Sequence, residues 1–138
     1  MLTNLLTEVK TITDGPGITR LGQIQIRTHD VERAAEFYEK VLGLKLLFKA
    51  PPGLAFFDCG GLRWMLDRPE KPEFDHASSI LYFAVPDIKA AHAGMKAKGV
   101  RFEDEPHMIA RMADHDLWMT FFRDTEDNLL ALMSEVKH

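Results

Sequence analysis

Two stretches of this chain carry the same run of signals 57 positions apart, and that repeat limits the possible folds more than any other feature. The first runs Gln23-Ile-Gln-Ile-Arg-Thr-His-Asp30 and continues from Val31 through Phe37-Tyr38 to Leu42-Gly43. The second runs Ile80-Leu-Tyr-Phe-Ala-Val-Pro-Asp87 and continues from Ile88 through Met95 to Lys98-Gly99. In each, an alternating strand leads to an aspartate placed to cap a helix, because its carboxylate can accept the free N–H groups of the first turn. Ala34, Ala35, Tyr38, Val41 and Leu42 then fall on one helical face, as Ile88, Ala91 and Met95 do in the second copy. Gly43 and Gly99 suit the left-handed residue that ends a helix.

Each predicted helix is followed by strand candidates. Leu44 to Lys49 and Leu54 to Cys59 flank the turn Ala50-Pro-Pro-Gly53, and Leu62 to Asp67 follows Gly60-Gly61. Val100 to Glu103, Leu117 to Arg123 and Leu129 to Met133 play the same parts in the second half. The pattern predicts an N-terminal extension at 1–18 and one α+β domain at 19–138. Within it, repeat one covers 20–67, a linker covers 68–77 and repeat two covers 78–135. The extension is expected to form a helix that covers a sheet edge.

Composition narrows the function. A net charge of −4, with both signs interspersed, leaves no basic stripe for nucleic acid. The single cysteine, Cys59, permits no internal disulfide and no all-cysteine metal site. No apolar run approaches the ~18–20 residues of a membrane helix, and no leader pattern opens the chain, so a cytoplasmic protein is expected.

The stretch Val31-Glu-Arg-Ala-Ala-Glu-Phe-Tyr-Glu-Lys-Val-Leu-Gly-Leu44 resembles the first-helix signature of the vicinal-oxygen-chelate superfamily of glyoxalases, bleomycin-resistance proteins and dioxygenases. Phe122-Arg-Asp-Thr-Glu-Asp-Asn-Leu-Leu130 resembles its closing hairpin, with Thr125 and Asp127 where the family prefers Pro and Gly. The resemblance covers roughly residues 20–135. It implies two βαβββ repeats forming a curved, mixed, eight-stranded sheet around a cavity, with helices on the outer face, and it implies a homodimer. It also implies four metal-ligand positions, which fall here on Gln23, Met65, Ile80 and Ala131. A register slip of two at Met65 would bring in Asp67. One amide, one thioether and two hydrocarbons do not make a divalent-ion site, so no metal and no other cofactor is expected.

Strand alternation assigns the cavity walls. With Gln23 inward, Gln25 and Arg27 follow, and Arg63 and Asp67 flank Met65. Ile80, Tyr82 and Ala84 face inward with Ala131 and Met133. One wall is polar and partly cationic and the other apolar, which suits a small organic ligand with a polar or anionic end held by Arg27 or Arg63. Those arginines have a competing use as structural partners of Asp67 or Asp58. Trp64 and Trp118 are either stacking surfaces or core. His29 and His92 are expected at the surface or at its boundary with the core. His107 and His115, in the acidic stretch from Glu105 to Trp118, are candidate ligand-binding or acid–base groups, against the reading of that stretch as a solvated loop. Three functions follow: a metal-independent binding protein that sequesters a small molecule; a lyase or dioxygenase with an atypical metal set around Gln23, His107 and His115; or an interaction domain whose cavity is incidental.

Overall fold

The computed structural model describes residues 15–138, so the expected N-terminal helix falls mostly outside the described residues. Repeat one comprises β1 (Gln23–Arg27), α1 (Val31–Glu36, continuing as a π-helical turn over Phe37–Val41), β2 (Lys45–Ala50), β3 (Leu54–Cys59) and β4 (Leu62–Asp67). A 3-10 turn at Pro72–Phe74 interrupts the connection. Repeat two comprises β5 (Leu81–Ala84), α2 (Ile88–Ala97), β6 (Arg101–Phe102), β7 (His107–Arg111), β8 (His115–Arg123) and β9 (Leu129–Lys137).

Both halves have one topology. Sheet one has the order β1-β4-β3-β2, with β1 parallel to β4 and the other pairs antiparallel. Sheet two has the order β5-β9-β8, with β5 parallel to β9 and both β6 and β7 alongside β8. The strands pair as two open sheets rather than one continuous sheet. The ninth strand arises because β6 and β7 are one edge strand broken between Glu103 and Pro106. There the Asp104 carboxylate accepts the Thr120 hydroxyl at 2.8 Å and the Phe121 N–H at 2.9 Å, and Pro106 has no N–H for a ladder. The stretch read as a candidate polar loop is thus largely a hairpin, with β7 running back along β8 through a bulge between Met108 and Ala110.

The helix ends follow the expected chemistry. Asp30 accepts the Arg33 N–H and Asp87 the Ala90 N–H, while Gly43 and Gly99 take φ of 76° and 90°. α1 packs on β3 and β4, and α2 on β8 and β9. The helix-facing sides of both sheets merge into one core through Ile26, Tyr38, Phe57, Leu66, Phe122 and Leu130. Trp64 stacks on Phe83 across the two repeats at 5.0 Å, which makes it a core residue. His92 is also buried, deeper than the surface or boundary position expected. It follows Ile88 by four residues and precedes Met95 by three, so it shares their face, with its ring 4.3 Å from that of Phe102.

The turn between β8 and β9 fastens the repeats together. Asp124 folds the turn by accepting the Glu126 and Asn128 N–H groups, each at 2.8 Å, and receives the Tyr38 hydroxyl at 2.7 Å. Glu126 accepts the N–H groups of His29 and Asp30 at 2.9 Å and the Arg33 side chain at 3.0 Å. Asn128 donates to the Arg27 carbonyl at 2.9 Å. Asp127 occupies the family's usual glycine position with φ 63°, which a short polar side chain tolerates better than most.

Candidate functional site

The register of sheet one puts the expected polar residues side by side. Gln23 pairs with Arg63, Gln25 with Met65 and Arg27 with Asp67. All six share the face opposite the helix, because Ile26, Trp64 and Leu66 between them are buried in the core. Gln23 is already engaged: its carbonyl oxygen accepts Arg63 Nε at 2.9 Å, and its amide nitrogen lies 3.5 Å from the Met65 sulfur. Arg63 also sits 5.6 Å over the Phe56 ring, which stacks on Phe48. Arg63 thus takes neither Asp58 nor Asp67 as an ion-pair partner.

At the Arg27 end, this face forms one side of a groove of about 540 Å³. Gln25, Arg27 and Asp67 come from the sheet, and Pro69, Glu70, Phe74, His76, Ser78 and Ser79 from the connecting segment. That segment is tied down by the His29 ring on Asp75 at 2.8 Å and by the Arg27 N–H on Ser78 Oγ at 2.9 Å. The Arg27 guanidinium reaches Asp75 only at 4.0 Å, and its buried Nε has no hydrogen-bond partner. Burial raises the Asp67 carboxyl above its ordinary range; the Arg68 N–H opposes this and the negative charge of Glu70 adds to it. Reading 68–77 as a linker missed this wall. Its hydroxyl, imidazole and phenyl groups follow no strand or helix period that would have marked them.

The open face of sheet two is apolar. Tyr82 and Phe121 flank Ala131 in register, and their rings meet edge to face at 5.8 Å. Ala84, Met133, Met119 and His107 form the next row across the strands. Tyr82 is 47 % exposed, so in a single chain the rim of this face has nothing packed on it. Trp118 lies on the other side, under the Lys89 ammonium at 5.0 Å, and does not join the open face. The reason is parity, since it alternates with Leu117 and Met119 along β8.

The two candidate histidines are not brought together. His107 bonds through Nδ1 to the Glu105 carbonyl at 2.8 Å. His115 lies four residues along β8 from Met119, the partner of His107, and pairs with Asp114 at 2.7 Å. That separation is roughly 13 Å along a strand. Gln23 belongs to the other sheet, so the atypical metal set is not assembled in one chain.

The four family metal positions offer no better donors. Gln23 is held by Arg63, Met65 presents a thioether and Ile80 a hydrocarbon, and Ala131 is fully buried between Tyr82 and Phe121. Among the described residues no three His, Cys, Asp or Glu side chains cluster to hold a metal. This donor set does not fit a divalent ion.

Comparison with known proteins agrees with this architecture. The chain is 27 % identical over 129 residues to the uncharacterized protein YraH of Bacillus subtilis strain 168, covering 82 % of this chain and 96 % of that one. Its fold matches that of TnmS3, an antibiotic binding protein from Streptomyces sp. CB03234, with a TM-score of 0.70 at 20 % identity over 88 % of this chain and 99 % of that one. Lactoylglutathione lyase from Agrobacterium tumefaciens matches with a TM-score of 0.68 at 20 % identity, over 85 % and 94 %. A binding protein and an enzyme share this fold equally, so fold does not choose between them. The model of one family matches residues 20–132, and the chain belongs to it: the Glyoxalase/Bleomycin resistance protein/Dioxygenase superfamily.

Proposed function

We propose that this chain is a small-molecule-binding protein that sequesters an organic ligand with an apolar body and a polar or anionic end, without using a metal. The observation that carries this reading is the pair of open faces, one polar and one apolar, that remain uncovered in a single chain. In this reading two copies form a homodimer that sets the polar face of sheet one against the apolar face of sheet two from the partner. The ligand lies between them. Its apolar body meets Tyr82, Phe121, Met119 and Met133, and its polar end reaches Gln25, Arg27 or Arg63.

The structural neighbours include an antibiotic binding protein, and the donor chemistry at the four ligand positions favours binding over metal-assisted catalysis. No helix among the described residues is long and apolar enough to cross a membrane. A cytoplasmic setting, with no nucleic-acid partner, completes the reading.

Elemental analysis of protein dialysed without chelator, combined with thermal-shift screening of small organic acids, tests it. The expected result is well under one equivalent of zinc, nickel, manganese or iron, unchanged in Gln23→Ala. Arg27→Ala or Arg63→Ala should weaken binding of an anionic hit about 10–100-fold, the worth of a charge-assisted hydrogen bond. One equivalent of metal lost in Gln23→Ala would overturn the reading. Metal lost on replacing His107 or His115 would instead establish a relocated site and an enzyme.

A further inference from the structure

The groove beside Arg27 carries more specific information than a preference for anions. Arg27 and Asp67 are register partners on adjacent parallel strands, which places their backbones roughly 4.8 Å apart, and both line the groove. They nevertheless do not pair with each other. Among the described residues the ion contact of Arg27 is to Asp75, at 4.0 Å, and no ion pair reaches Asp67. Two opposite charges therefore stand side by side, each with capacity left.

We infer that this groove takes an α-amino-acid head group, its carboxylate on Arg27 and the serine hydroxyls and its ammonium on Asp67 and Glu70. The inference rests on the small-molecule-binding reading above and names the ligand class for it. A ligand with only an anionic end would bring its charge against Asp67 and Glu70, which line the same groove. A ligand with only a cationic end would face Arg27. An α-amino acid carries both charges one carbon apart, matching two receptors on neighbouring strands.

Three further features fit. The terminal nitrogen of Arg27 reaches Asp75 only at 4.0 Å, too far for a full hydrogen bond, so the guanidinium keeps donors for a carboxylate. Ser78 Oγ accepts from the Arg27 N–H, so its own proton remains free to donate into the groove. Burial and Glu70 disfavour ionised Asp67, and an adjacent ammonium would offset both. Phe74 and Pro69 add apolar wall for the start of a side chain, and about 540 Å³ leaves room for more than the head group.

Calorimetric titration of the full chain with phenylalanine, 3-phenylpropionate and 2-phenylethylamine tests the inference, because the three share one ring and differ in charge. Phenylalanine should bind at least about tenfold more tightly than either relative. Asp67→Asn should erase its advantage over 3-phenylpropionate and preserve that over 2-phenylethylamine, and Arg27→Met should do the reverse. If a variant fails to fold, the ranking of the three probes on the unaltered protein decides alone. Equal binding of 3-phenylpropionate and phenylalanine would overturn the amino-acid assignment and leave the anion-binding reading standing. No binding of any of the three at millimolar concentration would overturn both.

Discussion

Replacing Tyr38 by Phe removes one oxygen from the join between the repeats and leaves the ring in place. The Tyr38 side chain is fully buried, packed against Phe37 at 5.6 Å, Trp64 at 5.5 Å and Phe57 at 6.2 Å between ring centroids. Its hydroxyl donates to Asp124 Oδ2 at 2.7 Å, a short bond to a carboxylate that is itself 1 % exposed. Burial first, and then the charge of Asp124, its hydrogen bond and Glu126, hold the phenol well above its ordinary pKa, so it donates at every working pH. In Tyr38→Phe the Asp124 carboxylate keeps the N–H groups of Glu126 and Asn128 and the Asn128 side chain. Losing one of four donors to a buried charged group costs about 2 kcal/mol. Phe preserves the aromatic packing, so little cavity cost is added. Urea unfolding at fixed protein concentration should show that loss, with a midpoint temperature lower by roughly 5–8 °C. A loss below roughly 0.5 kcal/mol, within the scatter of ordinary surface changes, would refute the assignment of this bond as a principal tie between the repeats.

Burial raises the Glu126 carboxyl, but the N–H groups of Asp30 and His29, the Thr125 hydroxyl and Arg33 outweigh that and hold its pKa below the ordinary value. A depressed pKa gives stability that is present above the unfolded value, about 4.3, and is lost as pH falls through the lower folded value. Unfolding curves of Glu126→Gln and the unaltered protein should therefore differ at neutral pH and converge in acid; a constant gap would count against this. If the apolar face of sheet two meets a partner copy, Tyr82→Glu should shift sedimentation from dimer to monomer while circular dichroism stays unchanged, and a persistent dimer would place the interface elsewhere.

Much of the fold was legible because its signals are local. The Asp30 and Asp87 caps, the two helix-ending glycines and the period-two alternation of β1, β4 and β5 are set by neighbouring residues, and the structure shows each. The β7 strand was hidden because the groups that define it are remote. Met108 and Ala110 find their partners on β8, and a bulge breaks the alternation that would have announced the strand. Trp118 stood between two readings, and His92 was expected nearer the surface, for related reasons. An indole or imidazole suits either face, and only the strand and helix phases decide which it takes. The site was half legible. Alternation put Gln25, Arg27 and Tyr82 on the open faces that they occupy, whereas Phe74, His76 and Ser79 acquire their place only when an aperiodic segment folds back against β1.

The fastening of α1 by the β8–β9 turn bears on the order in which the molecule is made. His29 and Glu126 are 97 residues apart, as are the other contacts at that helix start to within a few positions. A ribosome adds residues at roughly 5–20 per second, so the first helix waits for several seconds before the carboxylate that satisfies its leading N–H groups exists. Closing so long a loop is slow but adds little further entropy once the sheets have formed. A turn synthesised after nearly all of both repeats thus completes α1, and an incomplete chain ending before Glu126 lacks the clasp that joins its two halves.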